Sequence, residues 1–322
     1  MTGIAADLLP PALHARLHSP DAGVRRVALM DLADEEEEAF LPLLVAGLGD
    51  GAPEVRAVAA SALAGWELPD AVAALARALH DPDDAVRAAA AQSLGELKEP
   101  ALGHALLPAA AHADAFVCAA ALRALRELRL PEAAAPATAA LDHPDAVVRR
   151  EAVGVLGWLK DAQALPRLAR LAAEDADDEV RRSATGALGL ATPAQADLAA
   201  HALLAGLKDT AWPVRQEAAA TAGKLRLAAL EPALVEALDD GYWQVRLRAA
   251  RALGRLRSPR AVPALGRALA HEISNLRKEA AIALGEIGGP VAIALLRSAL
   301  ADPDPEVRKL TRLALSHLGE SA

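Results

Sequence analysis

An apolar residue followed by arginine recurs along the chain at Val24-Arg25, Val55-Arg56, Val86-Arg87, Val148-Arg149, Val180-Arg181, Val214-Arg215, Val245-Arg246, Leu276-Arg277 and Val307-Arg308, with Val117-Cys118 in the one gap. Successive marks are 31, 31, 31, 31, 32, 34, 31, 31 and 31 residues apart. A fixed period of this length is the signature of a repeat array in which each unit buries its apolar face against the next. In the unit Asp70–Lys98, Val86, Ala90, Leu94 and Leu97 fall on one stripe of an amphipathic helix. A shorter helix is predicted around Ala71–Leu79, ended by the turn His80-Asp81-Pro82-Asp83.

Asp83 stands where a helix N-cap belongs, and Asp21, Asp114, Asp145, Asp177 and Asp304 hold the same place in other units. Pro305 follows at the first helical position, where a missing N–H costs nothing. Counted from the marker residue at 100° per residue, offsets 0, +4, +7, +8 and +11 form the core stripe of the second helix. Offsets −1, +2, +3, +6 and +10 form the opposite arc. Alanine pairs such as Ala90-Ala91 and Ala249-Ala250, and Gly95, Gly157, Gly189, Gly254 and Gly285 near the helix ends, predict close approach of neighbouring helices.

These ten units resemble the short HEAT-like repeats of the phycobilisome-lyase type. The resemblance implies an all-α, right-handed solenoid of about ten two-helix repeats in a single domain, residues 1–322, with the repeats over about 8–319. It also implies a polar ladder between the recurring arginines and Asp50, Asp81, Asp175, Asp209, Asp240 and Asp302, with the second helices lining a concave face. In the tenth unit Thr311-Arg312 replaces the alanine pair, the polar outer face expected of a terminal repeat. The acidic run Glu35–Glu38 reads as a solvated loop between units one and two.

Composition agrees with this pattern. Hydrophobic residues are 53% of the chain but aromatics only 2%, so the apolar content is mostly helix-favouring Ala and Leu, with Val. The single cysteine, Cys118, allows no intrachain disulfide. The first residues lack the basic start and apolar run of a signal peptide, and no uncharged run of 18 apolar residues occurs. The expectation is a cytoplasmic protein with no membrane partner. Residues 1–160 carry 13 Lys and Arg against 23 Asp and Glu, a net of −10, whereas 208–278 carry 13 against 7, a net of +6.

That basic stretch holds three of the seven aromatic residues, Trp212, Tyr242 and Trp243, and most of the seven fall on one face of the second helices or its rim. Trp158 lies at +10, Trp212 and Trp243 at −2, and Tyr242 at an N-cap, and the turns before units seven and eight lack the capping aspartate. Local rules fail most often at functional sites. The candidate partner-binding residues are therefore Trp158, Trp212, Glu217, Lys224, Tyr242, Trp243, Gln244, Arg248, Arg251, Arg255, Asn275 and Lys278, in a groove centred on repeats five to nine. Tryptophans would anchor apolar side chains and arginines would pair carboxylates of an acidic or extended protein segment.

Catalytic signals are weak. HEAT-type di-iron hydroxylases carry repeated His-Glu pairs, but the matching positions here read Arg150-Glu151, Gln216-Glu217 and Lys278-Glu279. A cation cannot replace imidazole as a metal ligand. No histidine pair at i, i+4 is expected on a helix, and His80, His112, His143 and His271 read as turn residues bonded to backbone. Cys118 reads as a buried small hydrophobe. No catalytic residue, metal or cofactor is expected. The principal expectation is a non-catalytic protein-interaction scaffold. A lyase-like accessory factor handling a cofactor, and nucleic-acid binding through Arg248, Arg251 and Arg255 with stacking aromatics, are the alternatives.

Overall fold

The computed structural model describes residues 10–35 and 37–320, all in helices, turns and connecting segments, with no strand among them. Residues 8 and 9, where the first repeat was expected to begin, and Glu36 of the acidic run lie outside the described residues. The chain divides into two compact units, Met1–Asp161 and Ala162–Ala322.

The first unit contains α1 (Pro11–Leu17), α2 (Ala22–Asp34), α3 (Leu41–Gly47), α4 (Pro53–Ala62), α5 (Pro69–Ala78), α6 (Asp84–Leu94), α7 (Ala115–Leu128), α8 (Ala134–Ala140) and α9 (Ala146–Leu159). The fourth repeat departs from the expected helix pair, because its first element is two 3-10 segments, Pro100–Leu106 and Ala109–Ala111. Pro108 has no N–H to donate to a continuous helical ladder there. The second unit contains α10 (Leu165–Glu174), α11 (Asp178–Ala187), α12 (Ala196–Gly206), α13 (Trp212–Leu225), α14 (Glu231–Ala237), α15 (Trp243–Leu256), α16 (Val262–Ala268), α17 (Ser274–Ile287), α18 (Pro290–Ser298) and α19 (Pro305–His317). Within each unit, second helices pack on second helices: α2, α4, α6, α7 and α9 in the first, and α11, α13, α15, α17 and α19 in the second.

The capping prediction holds in detail. Asp21, Asp83, Asp114, Asp145, Asp177 and Asp304 each accept backbone N–H bonds at the start of α2, α6, α7, α9, α11 and α19. Loss of the cap is not confined to repeats seven and eight, however. Ala52 and Ile273 also precede α4 and α17 without a side-chain cap, as Ala211 and Tyr242 precede α13 and α15.

The marker residues Val55, Val86, Val117, Val148, Val180, Val214, Val245, Leu276 and Val307 are all buried, whereas Val24 is exposed. A second buried stripe, at offsets +5 and +9, faces the next second helix: Ala60, Ala250 and Ala281, then Gly223 and Gly254. A Cβ placed on Gly223 would fall 2.7 Å from Ala252 Cα, and one on Gly254 would fall 2.8 Å from Ala283 Cα. Glycine is therefore required for the spacing of α13, α15 and α17. Gly95, predicted to serve the same packing, meets only carbonyls of its own helix.

Candidate functional site

A charged ladder joins successive turns. Arg25 Nε and Nη2 donate to Asp50 at 2.7 Å each, and the same two-pronged contact joins Arg56 to Asp81, Arg181 to Asp209, Arg215 to Asp240 and Arg277 to Asp302. Each aspartate also accepts the amide two residues on, as Asp50 does from Ala52 at 2.8 Å. The arginine Nη1 of each donates to a carbonyl of its own turn. Planar guanidinium matched to carboxylate is the geometry in which such bonds are strongest.

The arginine bonds hold Asp50, Asp81 and Asp302 below the usual carboxylate range. At Asp209 and Asp240 burial pushes the other way, but the arginine and the turn amide prevail and both are lowered. The rungs span 25 residues except Arg181 to Asp209, which spans 28. The three extra residues belong to the 34-residue step, taken up in the longer α12, so the rung keeps its register.

Three turns hold histidine where the ladder aspartate belongs. His112, His143 and His271 accept, through Nδ1, the amides of Asp114, Asp145 and Ile273 at 3.0, 3.0 and 3.1 Å. The imidazole copies the aspartate's bond to the turn but offers no anion to an arginine. Arg87 adds Asp84 and the ring of Phe116 to its own-turn carbonyl bond. Among the described residues Arg246 keeps only its own-turn bond to the Asp240 carbonyl, and opposite His143 the arginine itself is replaced by Cys118.

A second ladder lies on the face that the offset map places opposite the core, and it corrects that map. Glu151 and Glu279, at offset +3, are only 5% and 6% exposed. Glu151 accepts from Arg123 and Arg126, and Glu279 accepts from Arg251 Nε at 2.7 Å and Nη2 at 2.6 Å. The glutamates that align with di-iron ligands by position are thus counterions to the preceding repeat. The signal was present as an arginine 28 residues before each glutamate.

This second ladder sorts the candidate residues. Arg251 has its guanidinium occupied by Glu279, and Lys278 lies 3.5 Å from Asp304. Glu217 is half-buried against Gly186, which stands in the preceding repeat where Arg123 and Arg251 stand in theirs, and Lys224 lies over Gly189. Trp212 is half-buried and stacked on exposed Tyr242, with centroids 5.4 Å apart and Arg215 beyond the tyrosine ring. Trp243 and Gln244 are half-buried at the start of α15, and Asn275 is exposed at the start of α17. Arg248 and exposed Arg255 make no ion pair among the described residues. Trp158, in the first unit, is 46% exposed, with the Arg129 guanidinium over its ring at 4.6 Å.

Two smaller readings change or hold. His14 and His18 are four residues apart at the end of α1 and stack at 4.4 Å, contrary to the expectation of no such pair. Cys118 is buried, donates to the Ala110 carbonyl and has its thiol pushed up by burial. Among the described residues no group of three or more His, Cys, Asp or Glu is placed to hold a metal ion. No helix among them is long and apolar enough to cross a membrane.

A sequence profile for HEAT repeats matches residues 10–95, 41–126, 103–189 and 230–316. No curated protein matches the chain. Among solved structures, an engineered protein matches at 22% identity and TM-score 0.57, over 97% of this chain and 99% of its own. YibA of Escherichia coli matches at 20% identity and TM-score 0.55, over 92% and 97%. Kap95p, in a structure with RanGDP, matches at 15% identity and TM-score 0.67, over 95% of this chain and 49% of that one. The chain thus spans about half the length of Kap95p, and all these likenesses concern the fold.

Proposed function

The chain belongs to the HEAT-repeat family, and we propose that it works as a non-catalytic protein-interaction scaffold, holding an acidic or extended partner segment on the second-helix face of its second unit. The observation that carries this reading is the contrast among arginines. Arg25, Arg56, Arg181, Arg215, Arg251 and Arg277 are all held by a carboxylate of the next repeat, whereas α15 presents Arg248 and Arg255 with none. An unpaired guanidinium keeps its planar fork for an incoming carboxylate. Trp243, Gln244 and Asn275 lie at the starts of the same neighbouring helices and supply an apolar contact and amide groups.

The Trp212–Tyr242 stack weighs against single-stranded nucleic acid, because each ring already covers a face of the other that a base would need. The test is capture from the host's own lysate with wild type beside a Trp243→Ala/Arg248→Glu variant of equal helicity. A protein retained by wild type, lost with the variant and cross-linked to α15 supports the scaffold. Equal capture by both, or capture dominated by nucleic acid, overturns it.

A further inference from the structure

Resting on the scaffold reading, we propose that the C-terminal ends of α13 and α15 form a docking edge for a peptide that is acidic and then apolar. Lys224 and Arg226 end α13, and Arg255 and Arg257 end α15. All four are exposed, and none makes an ion pair among the described residues. In a chain of net charge −9 this is a concentration of uncompensated positive charge.

The backbone supplies an independent observation. Arg226 and Arg257 both sit in the left-handed region, at φ 51°. The equivalent positions after α17 and α19 are Gly288 and Gly319, also at positive φ, 72° and 77°, although Gly288 has ψ −167° and so leaves the left-handed helical region. Glycine takes positive φ without the Cβ clash that an L side chain suffers. Helix-end carbonyls do attract cations, but Lys224 and Arg255 already serve that purpose from the last helical turn. Retaining arginine where glycine fits better points to a use for its guanidinium. In the first unit the same position holds Arg129, which covers Trp158, and Lys160.

Beyond Arg257 the edge opens into a groove of about 600 Å³ lined by Ile282, Ile287, Leu310, Leu313 and Leu318. Leu313 is 48% exposed. Glu286 and His317 also line the groove, with Glu286 lying against Gly254. Because Arg257 borders both parts, one extended segment reaches the cations with its carboxylates and the groove with the apolar side chains that follow. Packed helices lie about 8–10 Å apart, and an extended chain advances about 3.3 Å per residue. Carboxylates about three residues apart therefore match the step from α13 to α15.

The probe is a fluorescein-labelled peptide of three Glu-Ser-Glu units followed by Leu-Leu-Phe, with fluorescence anisotropy as the readout. Controls replace its glutamates by serine or remove its apolar tail. Wild type binds the full peptide, and Arg226→Gly/Arg257→Gly weakens it at least about tenfold. The melting temperature of that variant stays level or rises by about 2–4 °C, because two strained residues become glycine. Leu313→Ser weakens the full peptide but not the tail-less one. Wild-type binding by the glycine variant, a fall in its melting temperature, equal binding of the serine control, or tighter binding of an oligothymidylate each overturns the docking edge. If a lysate partner still depends on Trp243 and Arg248 while the glycine variant binds normally, the scaffold reading stands without this edge.

Discussion

Replacing Arg251 by alanine strands a buried charge, and its cost follows from the geometry. Glu279 is 6% exposed and would lose both bonds, at 2.7 and 2.6 Å. A charge-assisted hydrogen bond contributes roughly 1.5–3 kcal/mol, and removing one partner of a fully buried pair costs roughly 3–5 kcal/mol. The Arg251 side chain is 41% exposed, so water screens part of the interaction and admits a replacement partner for the carboxylate. The expected loss is about 2–3 kcal/mol. Changing Glu279→Gln as well leaves no charge behind, so the double variant should recover about 1 kcal/mol of it. Urea unfolding followed by far-ultraviolet circular dichroism gives the totals, and amide exchange places the weakness between α15 and α17. An Arg251→Ala variant within about 0.5 kcal/mol of wild type, or a double variant weaker than the single, refutes the argument.

Acid should weaken the turn ladder: the carboxyls of Asp50, Asp81, Asp209, Asp240 and Asp302 are lowered in the fold, so their contribution is full above the unfolded value near 3.9 and is lost as pH falls below it. Melting temperatures between about pH 5 and 2 should drop most steeply below about 4, and Asp302→Asn should flatten part of that drop. His271→Asp supplies the missing anion for Arg246 and should raise stability by about 1 kcal/mol in urea unfolding, with no gain refuting the substitution logic. Gly223→Ala puts a methyl 2.7 Å from Ala252 Cα and should cost about 1–2 kcal/mol despite alanine's better helix propensity; a higher melting temperature would show that α13 and α15 can part freely.

The period, the capping aspartates and the ladder arginines were legible because each recurs at a fixed offset, so ten imperfect copies reinforce one another. The second ladder was missed for a physical reason. An angular map of a single helix knows its own core but not its neighbour, and Glu279 is buried by Arg251 on the helix before it. The same map left Ala250 and Gly254 off the core stripe, although their small size had marked them for close helix approach, as the structure shows. Arg226 and Arg257 escaped notice because left-handed backbone is usually read from glycine, and only alignment with Gly288 and Gly319 marks their position. His14 and His18 required no structure at all, only a count of four along the chain.

The rungs that look forward by one repeat also describe how such a chain can change length. A rung spans 25 residues and the period is 31, so a segment cut from one marker arginine to the next carries both ends of one rung, as Arg25 and Asp50 do. Copying that segment in tandem therefore adds a complete clamp with each new copy. Growth by duplication needs no compensating substitution where the turn holds Asp50, Asp81, Asp209, Asp240 or Asp302. A copy carrying His112 or His271 would lack the anion of its clamp, and one carrying His143 would lack the arginine as well, because Cys118 stands in its place. Those three turns are where an inserted repeat would sit loosest and where the array would part most readily under tension.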